Sequence, residues 1–137
     1  LIKRKKVNSM NIEGLITLLR NEIEKTGYKC YSPDLPQTDE TCVAISLGQG
    51  TNQTSLNRSI LYSDIPFYLL IRGTSNDRDT RAIADSVFNQ LYHKENIKNN
   101  DLNIILISCT TPNYAFRDDN QRIYYNINCT AKVQWKE

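Results

Sequence analysis

A chain of 137 residues with a formal net charge of +2 is one ordinary domain, long enough to bury a core of its own. Lys3, Arg4, Lys5 and Lys6 all precede Met10; taking these four from the seventeen basic residues leaves thirteen against fifteen acidic ones, so the remainder gives no charge argument for nucleic-acid binding. The longest apolar runs, such as 104–107, are too short to span a membrane, and four cysteines with no CxxC pair and only His93 to complement them argue against zinc.

Residues 1–9 read as a disordered basic leader; a nucleic-acid arm is the alternative, but no aromatic residue interleaves the charges for base stacking. Ile12, Leu15, Ile16, Leu19 and Ile23 recur at helical spacing and predict a first helix over about 11–26, with Gly27 as its C-terminal stop. Residues 28–31 begin a strand that Pro33 and Pro36 end. In 41–47, Val43, Ile45 and Leu47 alternate against Cys42, Ala44 and Ser46, which predicts a second strand.

The stretch GQGTNQTSLNRS at 48–59 has two glycines and almost no apolar residue, which reads as a mobile loop or hairpin tip. It lacks the Gly-Lys-Ser/Thr of a phosphate loop and the GxGxxG of a dinucleotide site, so no cofactor is expected. Residues 60–71 are extended, with Pro66 marking an edge, a bulge or a break.

Gly73 then ends this strand, on the expectation of a positive φ, and Ser75, Asn76 or Asp77 caps a helix whose stripe is Ile83, Ala84, Val87, Phe88, Leu91 and Tyr92. Residues 94–101 read as a polar connection and 102–111 as a central strand. Asp118, Asp119 and Asn120 make a turn. In the final segment Ile123, Tyr125, Ile127, Cys129, Ala131, Val133 and Trp135 alternate strictly with polar residues and Tyr124. At ~3.3 Å per residue such a strand is roughly 40 Å long, so it is expected to overhang its sheet with an unpaired edge.

The predicted class is α+β: an antiparallel or mixed sheet of about four to five strands, with two helices packed on one face, over residues 10–137. The even cysteine count permits two disulfides, but the cysteines read rather as reduced core thiols, with Cys42, Cys109 and Cys129 inside predicted strands. His93, the only histidine, sits at a helix end and has no nucleophile to serve as base. The acidic pairs fall in turns and helix starts, where capping explains them. Arg72 is the one charge at the strand–turn junction, and pairing within the domain or across a subunit boundary is equally open to it.

Three segments together resemble small tail terminator proteins of long-tailed bacteriophages, also called minor capsid or tail completion proteins. NIEGLITLLRNEI is similar to their opening helix, FYLLIRGTSNDRDTRAIADSVFNQL to their strand–Arg-Gly–helix core, and TTPNYAFRDDNQRIYYNINCTAKV to their C-terminal hairpin. The likeness covers most of residues 10–135. It implies a homo-oligomer, a hexameric ring that caps the finished tail tube, stops its elongation and joins it to the head–tail connector. It implies assembly in the bacterial host cytoplasm, a place in the virion, and no enzyme activity or cofactor. Nucleic acid would at most pass through the ring, and no membrane is involved.

On this reading Gln49, Thr51, Asn52, Gln53, Thr54, Asn57 and Arg58 are expected to contact the tail tube or connector. Tyr124, Asn126, Asn128 and Thr130 along the long strand's edge, with Arg72, are expected at the subunit interface. Two other classes remain open: a small metal-dependent nuclease using Asp64 and Asp101, or an adaptor that binds a partner strand along its edge.

Overall fold

The computed structural model describes residues 10–54 and 60–136; the basic leader 1–9, Asn57 and Arg58 lie outside the described residues. The elements are α1 (Ile12–Glu24), β1 (Cys30–Tyr31), β2 (Cys42–Leu47), β3 (Thr51–Thr54), β4 (Leu61–Arg72), α2 (Asp77–Leu91), β5 (Glu95–Lys98), β6 (Leu102–Cys109), β7 (Asn113–Arg117) and β8 (Ile123–Trp135). The sheet runs β1-β2-β4-β8-β6-β5, with β3 paired to β4 and β7 to β8. β1 lies parallel to β2 and the other pairs are antiparallel.

The class is α+β, but the sheet has eight strands rather than four to five. The additional strands β3, β5 and β7 are short and carry mostly polar, exposed residues, so no apolar alternation marks them in the sequence.

Both helices form as their sequences predict. The Asn11 side chain accepts from Gly14 N at 3.0 Å and the Asn76 side chain accepts from Asp79 N at 3.1 Å, each satisfying a free first-turn N–H. Gly27 has φ +93°, the left-handed conformation that ends a helix. Leu15, Leu19 and Ile23 of α1 and Ile83, Ala84, Val87 and Leu91 of α2 join one core with the alternating residues of β4, β6 and β8. Ile12 and Tyr92, at the margins of the two predicted stripes, stay exposed. Buried Glu22 ties the helices together by accepting from Gln90 Nε2 at 2.8 Å.

Gly73 corrects an expectation. Its φ is not positive; it is glycine because Thr80 of α2 packs onto it, and a Cβ there would stand 2.3 Å from Thr80 Oγ1. Thr80 Oγ1 also accepts from Thr74 N at 3.1 Å, so the strand–helix turn is closed by this contact.

β8 corrects another. It does not overhang: Leu61–Arg72 pairs with it residue by residue from Trp135 to Tyr124, and β6 and β7 line its other side. The long strand is long because β4 matches it, and it lies at the centre of the sheet with both edges occupied. Pro66 sits inside unbroken β4. Its carbonyl accepts from Gly48 N at 2.7 Å, so its missing N–H faces the interruption between β2 and β3.

Candidate functional site

The two faces of the sheet receive different treatment. Both helices cover one face. On the other lie Ala44 and Ser46 of β2, Asp64, Pro66, Tyr68, Leu70 and Arg72 of β4, and Tyr124, Asn126, Asn128, Thr130 and Lys132 of β8, as the alternation of burial along these strands shows.

One end of this face is covered by the chain itself. Arg72, 3% exposed, donates from Nε to Glu40 O at 2.9 Å and from Nη1 to Pro36 O at 2.8 Å. Arg122 donates from Nη1 to Thr38 O at 2.8 Å and from Nε to Asp118 Oδ2 at 2.9 Å. These two guanidinium groups draw the segment between β1 and β2 down onto the sheet, using backbone carbonyls as fixed acceptors.

Beside them Asp118 accepts from Tyr124 Oη at 2.7 Å and from Arg122 N at 2.9 Å. Partial burial resists ionisation of Asp118, but the bonds from Tyr124 and Arg122 outweigh it and hold its pKa down to about 2. The Tyr124 ring stacks on Phe116 of β7, with centroids 4.2 Å apart.

The middle of the face is bare. Tyr68 is 45% exposed and Asn128 is exposed. A hollow of about 400 Å³ runs between Pro33, Leu35, Ser46, Tyr68, Asn126 and Asn128. A second, of about 300 Å³, lies on the other flank of Tyr68, against Thr110, Asn128 and Thr130. The Tyr68 ring packs over Gly48, where a Cβ would meet Tyr68 Oη at 2.7 Å. This surface offers amides, hydroxyls and exposed aromatic rings. Such groups suit protein docking: they are adaptable hydrogen-bond partners around a rigid aromatic anchor.

The expected interface residues therefore come together on a face rather than at an edge. Asn126, Asn128 and Thr130 stand on the bare part; Asn126 Oδ1 accepts from Asn113 Nδ2 at 2.8 Å. Tyr124 and Arg72 belong to the covered end, and the Arg72 bonds described run within the domain. Tyr68, Phe116 and Arg122 were not singled out from sequence. The signal for Tyr68 was present, since it alternates with Phe67 and Leu69 on the polar side of β4.

Of the expected tail-tube contacts, Thr51, Asn52, Gln53 and Thr54 form the exposed strand β3, and Gln49 precedes it exposed. Register places Thr51 and Gln53 opposite Asp64 and Tyr62 on the open side, and Asn52 opposite Ser63 on the helix side. There Asn52 Oδ1 accepts from Ser63 Oγ at 2.6 Å, and Ser63 Oγ accepts from buried Trp135 Nε1 at 2.7 Å. An outwardly polar strand is thus anchored to the core.

The nuclease reading finds no support. Asp64 is on the open face, while Asp101 lies at the β5–β6 turn, where it accepts from Asn11 Nδ2 at 2.8 Å beside α1. Among the described residues no three His, Cys, Asp or Glu side chains are grouped to hold a metal. No helix of these residues is long and apolar enough to cross a membrane. The adaptor reading fails at the strand it invoked, since both edges of β8 are paired.

Residues 18–135 match the family described as "Bacteriophage tail terminator protein". No curated protein matches the chain. Among solved structures, a chain from the virion of a native gene transfer agent particle shares the fold, with a TM-score of 0.64 at 11% identity, over 90% of this chain and 96% of that one.

Proposed function

Because the chain belongs to the bacteriophage tail terminator family, we propose that it is a structural protein of the tail that assembles into a ring, the hexamer the family resemblance implies, caps the tail tube, stops its elongation and joins it to the head connector. The ring assembles in the host cytoplasm and ends in the neck of the virion, and it has no enzymatic activity. The observation that carries this reading beyond the family is the bare middle of the sheet. A half-exposed tyrosine, two asparagines and a threonine border two hollows there. We assign this face to the neighbouring subunit. A closed ring needs two different surfaces on each copy, and the second is the helix side. Gln49 and the β3 residues Thr51 and Gln53 are assigned to the tube or connector; Arg72 is assigned to holding the 36–40 segment in place.

The test is light scattering and negative-stain microscopy of the full chain and of Asn128→Arg, with and without tail tubes. The unaltered chain forms rings and fixes tube length. Asn128→Arg keeps its melting temperature but stays monomeric. The double variant Thr51→Arg/Gln53→Arg forms rings that no longer stop tube growth. Rings of normal size from Asn128→Arg would refute the assignment of the face, and an unaltered chain that stays monomeric on tail tubes would refute the ring.

A further inference from the structure

Two of the four cysteines lie opposite each other across neighbouring strands: Cys109, the last residue of β6, pairs with Cys129 of β8. Backbone bonding shows which kind of pair this is. Ile107 turns its N–H and C=O away from β8, donating to Lys94 O at 2.9 Å and accepting from His93 N at 3.1 Å. Alternation then turns Ser108 and Thr110 toward β8, and Thr110 N does donate to Asn128 O at 2.8 Å. From the other side, Pro66 directs its carbonyl to Gly48, so Thr130 opposite it faces β6 and Cys129 faces β4. Cys109 and Cys129 therefore occupy a position between ladder bonds. Opposed Cα atoms there are ~4.5 Å apart, within the roughly 4.4–6.8 Å that a disulfide requires.

Both side chains point to the helix side, as the burial of Cys129 and the packing of Cys109 against the core show. We propose that Cys109 and Cys129 form a dithiol site that a small-molecule disulfide oxidises to an intrachain bridge in the folded protein. The inference is independent of the ring.

The chemistry balances within the pair. The Cys109 thiolate attacks one sulfur of the oxidant, breaks its S–S bond and releases one thiolate. Cys129 gives its proton to solvent and attacks Cys109 Sγ, which releases the second thiolate and forms the Cys109–Cys129 bond. Two electrons pass from the protein thiols to the oxidant. Cys109 is the attacking group because it is half-buried at a strand end while Cys129 is 4% exposed. Interaction with the neighbouring Cys129 thiol also lowers the Cys109 thiol below its ordinary range, despite the opposing effect of burial.

The other two cysteines cannot compete. Cys30 packs in the core beneath α1, and burial pushes its thiol up to about 12. Cys42 is on the opposite face of the sheet, against Arg72 Nη2. The bridge would close the base of the β7–β8 arm, whose residues lie between the two cysteines. A particle released from a reducing cell into oxidising medium meets the conditions that form such a bond.

The experiment incubates the folded full chain with oxidised glutathione, counts free thiols, and maps the bridge by peptide mass spectrometry without reduction. The expected result is a fall from four free thiols to two, a mass loss of about 2 Da, a Cys109–Cys129 peptide, and a melting temperature a few degrees higher. Cys109→Ser should keep every remaining thiol free under the same conditions, while its circular dichroism matches that of the reduced chain. Four free thiols in the folded chain, a bridge mapped to another pair, covalent dimers, or a bridge that forms only in denaturant would each overturn the proposal.

Discussion

The two sides of β8 carry different work on one backbone. Toward the helices, Ile123, Tyr125, Ile127, Cys129, Ala131, Val133 and Trp135 are all buried. Toward the open side, Asn128 and Lys132 are exposed and Asn126, Thr130 and Gln134 half-buried, while Tyr124 alone is covered. Side chains alternate every residue, so a strand can serve folding on one face and recognition on the other without compromise between them. Tyr124 is buried where the Phe116 ring stacks on it and Asp118 accepts from its hydroxyl, and beside it two arginines hold the carbonyls of the 36–40 segment. The open side is thus divided by side-chain chemistry into a sealed end and a bare middle.

Substitutions on the two sides should separate sharply. Trp135→Ala removes the largest buried side chain and leaves Ser63 without its donor. A loss of about 3–5 kcal/mol is expected in urea unfolding, the cost typical of truncating a buried aromatic. A loss below about 1 kcal/mol would mean that the helix side is not a continuous core. Arg72→Ala tests the sealed end: it strands the Pro36 and Glu40 carbonyls and should cost about 1.5–3 kcal/mol, as for hydrogen bonds to a charged group. Proteolysis should then cut between residues 33 and 41, and a protease pattern unchanged from the unaltered chain would show that the loop holds itself in place.

The smallest effect is an acid one. Asp118 has a folded-state pKa depressed to about 2, so its contribution is fully present above the unfolded carboxylate range and is lost as pH falls through the folded value. Between about pH 4 and pH 2 the unaltered chain should lose stability more steeply than Asp118→Asn. Parallel slopes for the two proteins would place the acid sensitivity elsewhere.

Much of the fold was legible in the sequence. Strict alternation from Ile123 to Trp135 marked β8, Gly27 and the cluster Ser75, Asn76 and Asp77, of which Asn76 is the cap, marked helix ends, and the stripes on α1 and α2 marked their buried faces. Two features were misread for a common reason: local pattern carries no information about distant partners. The length of β8 suggested an overhang because its partner β4 is separated from it by a helix and three strands. Gly73 suggested an unusual φ because its real constraint, the Thr80 side chain, arrives only when the helix packs. The face proposed for docking was legible as a set of polar positions on one strand, but not as the middle of a sheet. Arg72 could not be assigned from sequence, since its acceptors are carbonyls more than thirty residues away.

The interruption opposite Pro66 also bears on how the protein avoids pairing strand to strand with other copies of itself. Had β2 and β3 run on as one strand, the sheet would end in a long flat border able to recruit strands from other copies. Instead the outer strands of the described residues are short: β1 has two residues, β3 and β5 have four each, and β7 has five, with a register shift between Tyr114 and Phe116. Pro33 follows β1, and Lys94 and Lys98 flank or end β5. Short, kinked and charged borders resist uncontrolled strand addition. Growth into fibres is therefore disfavoured, and would not compete with the assembly proposed above.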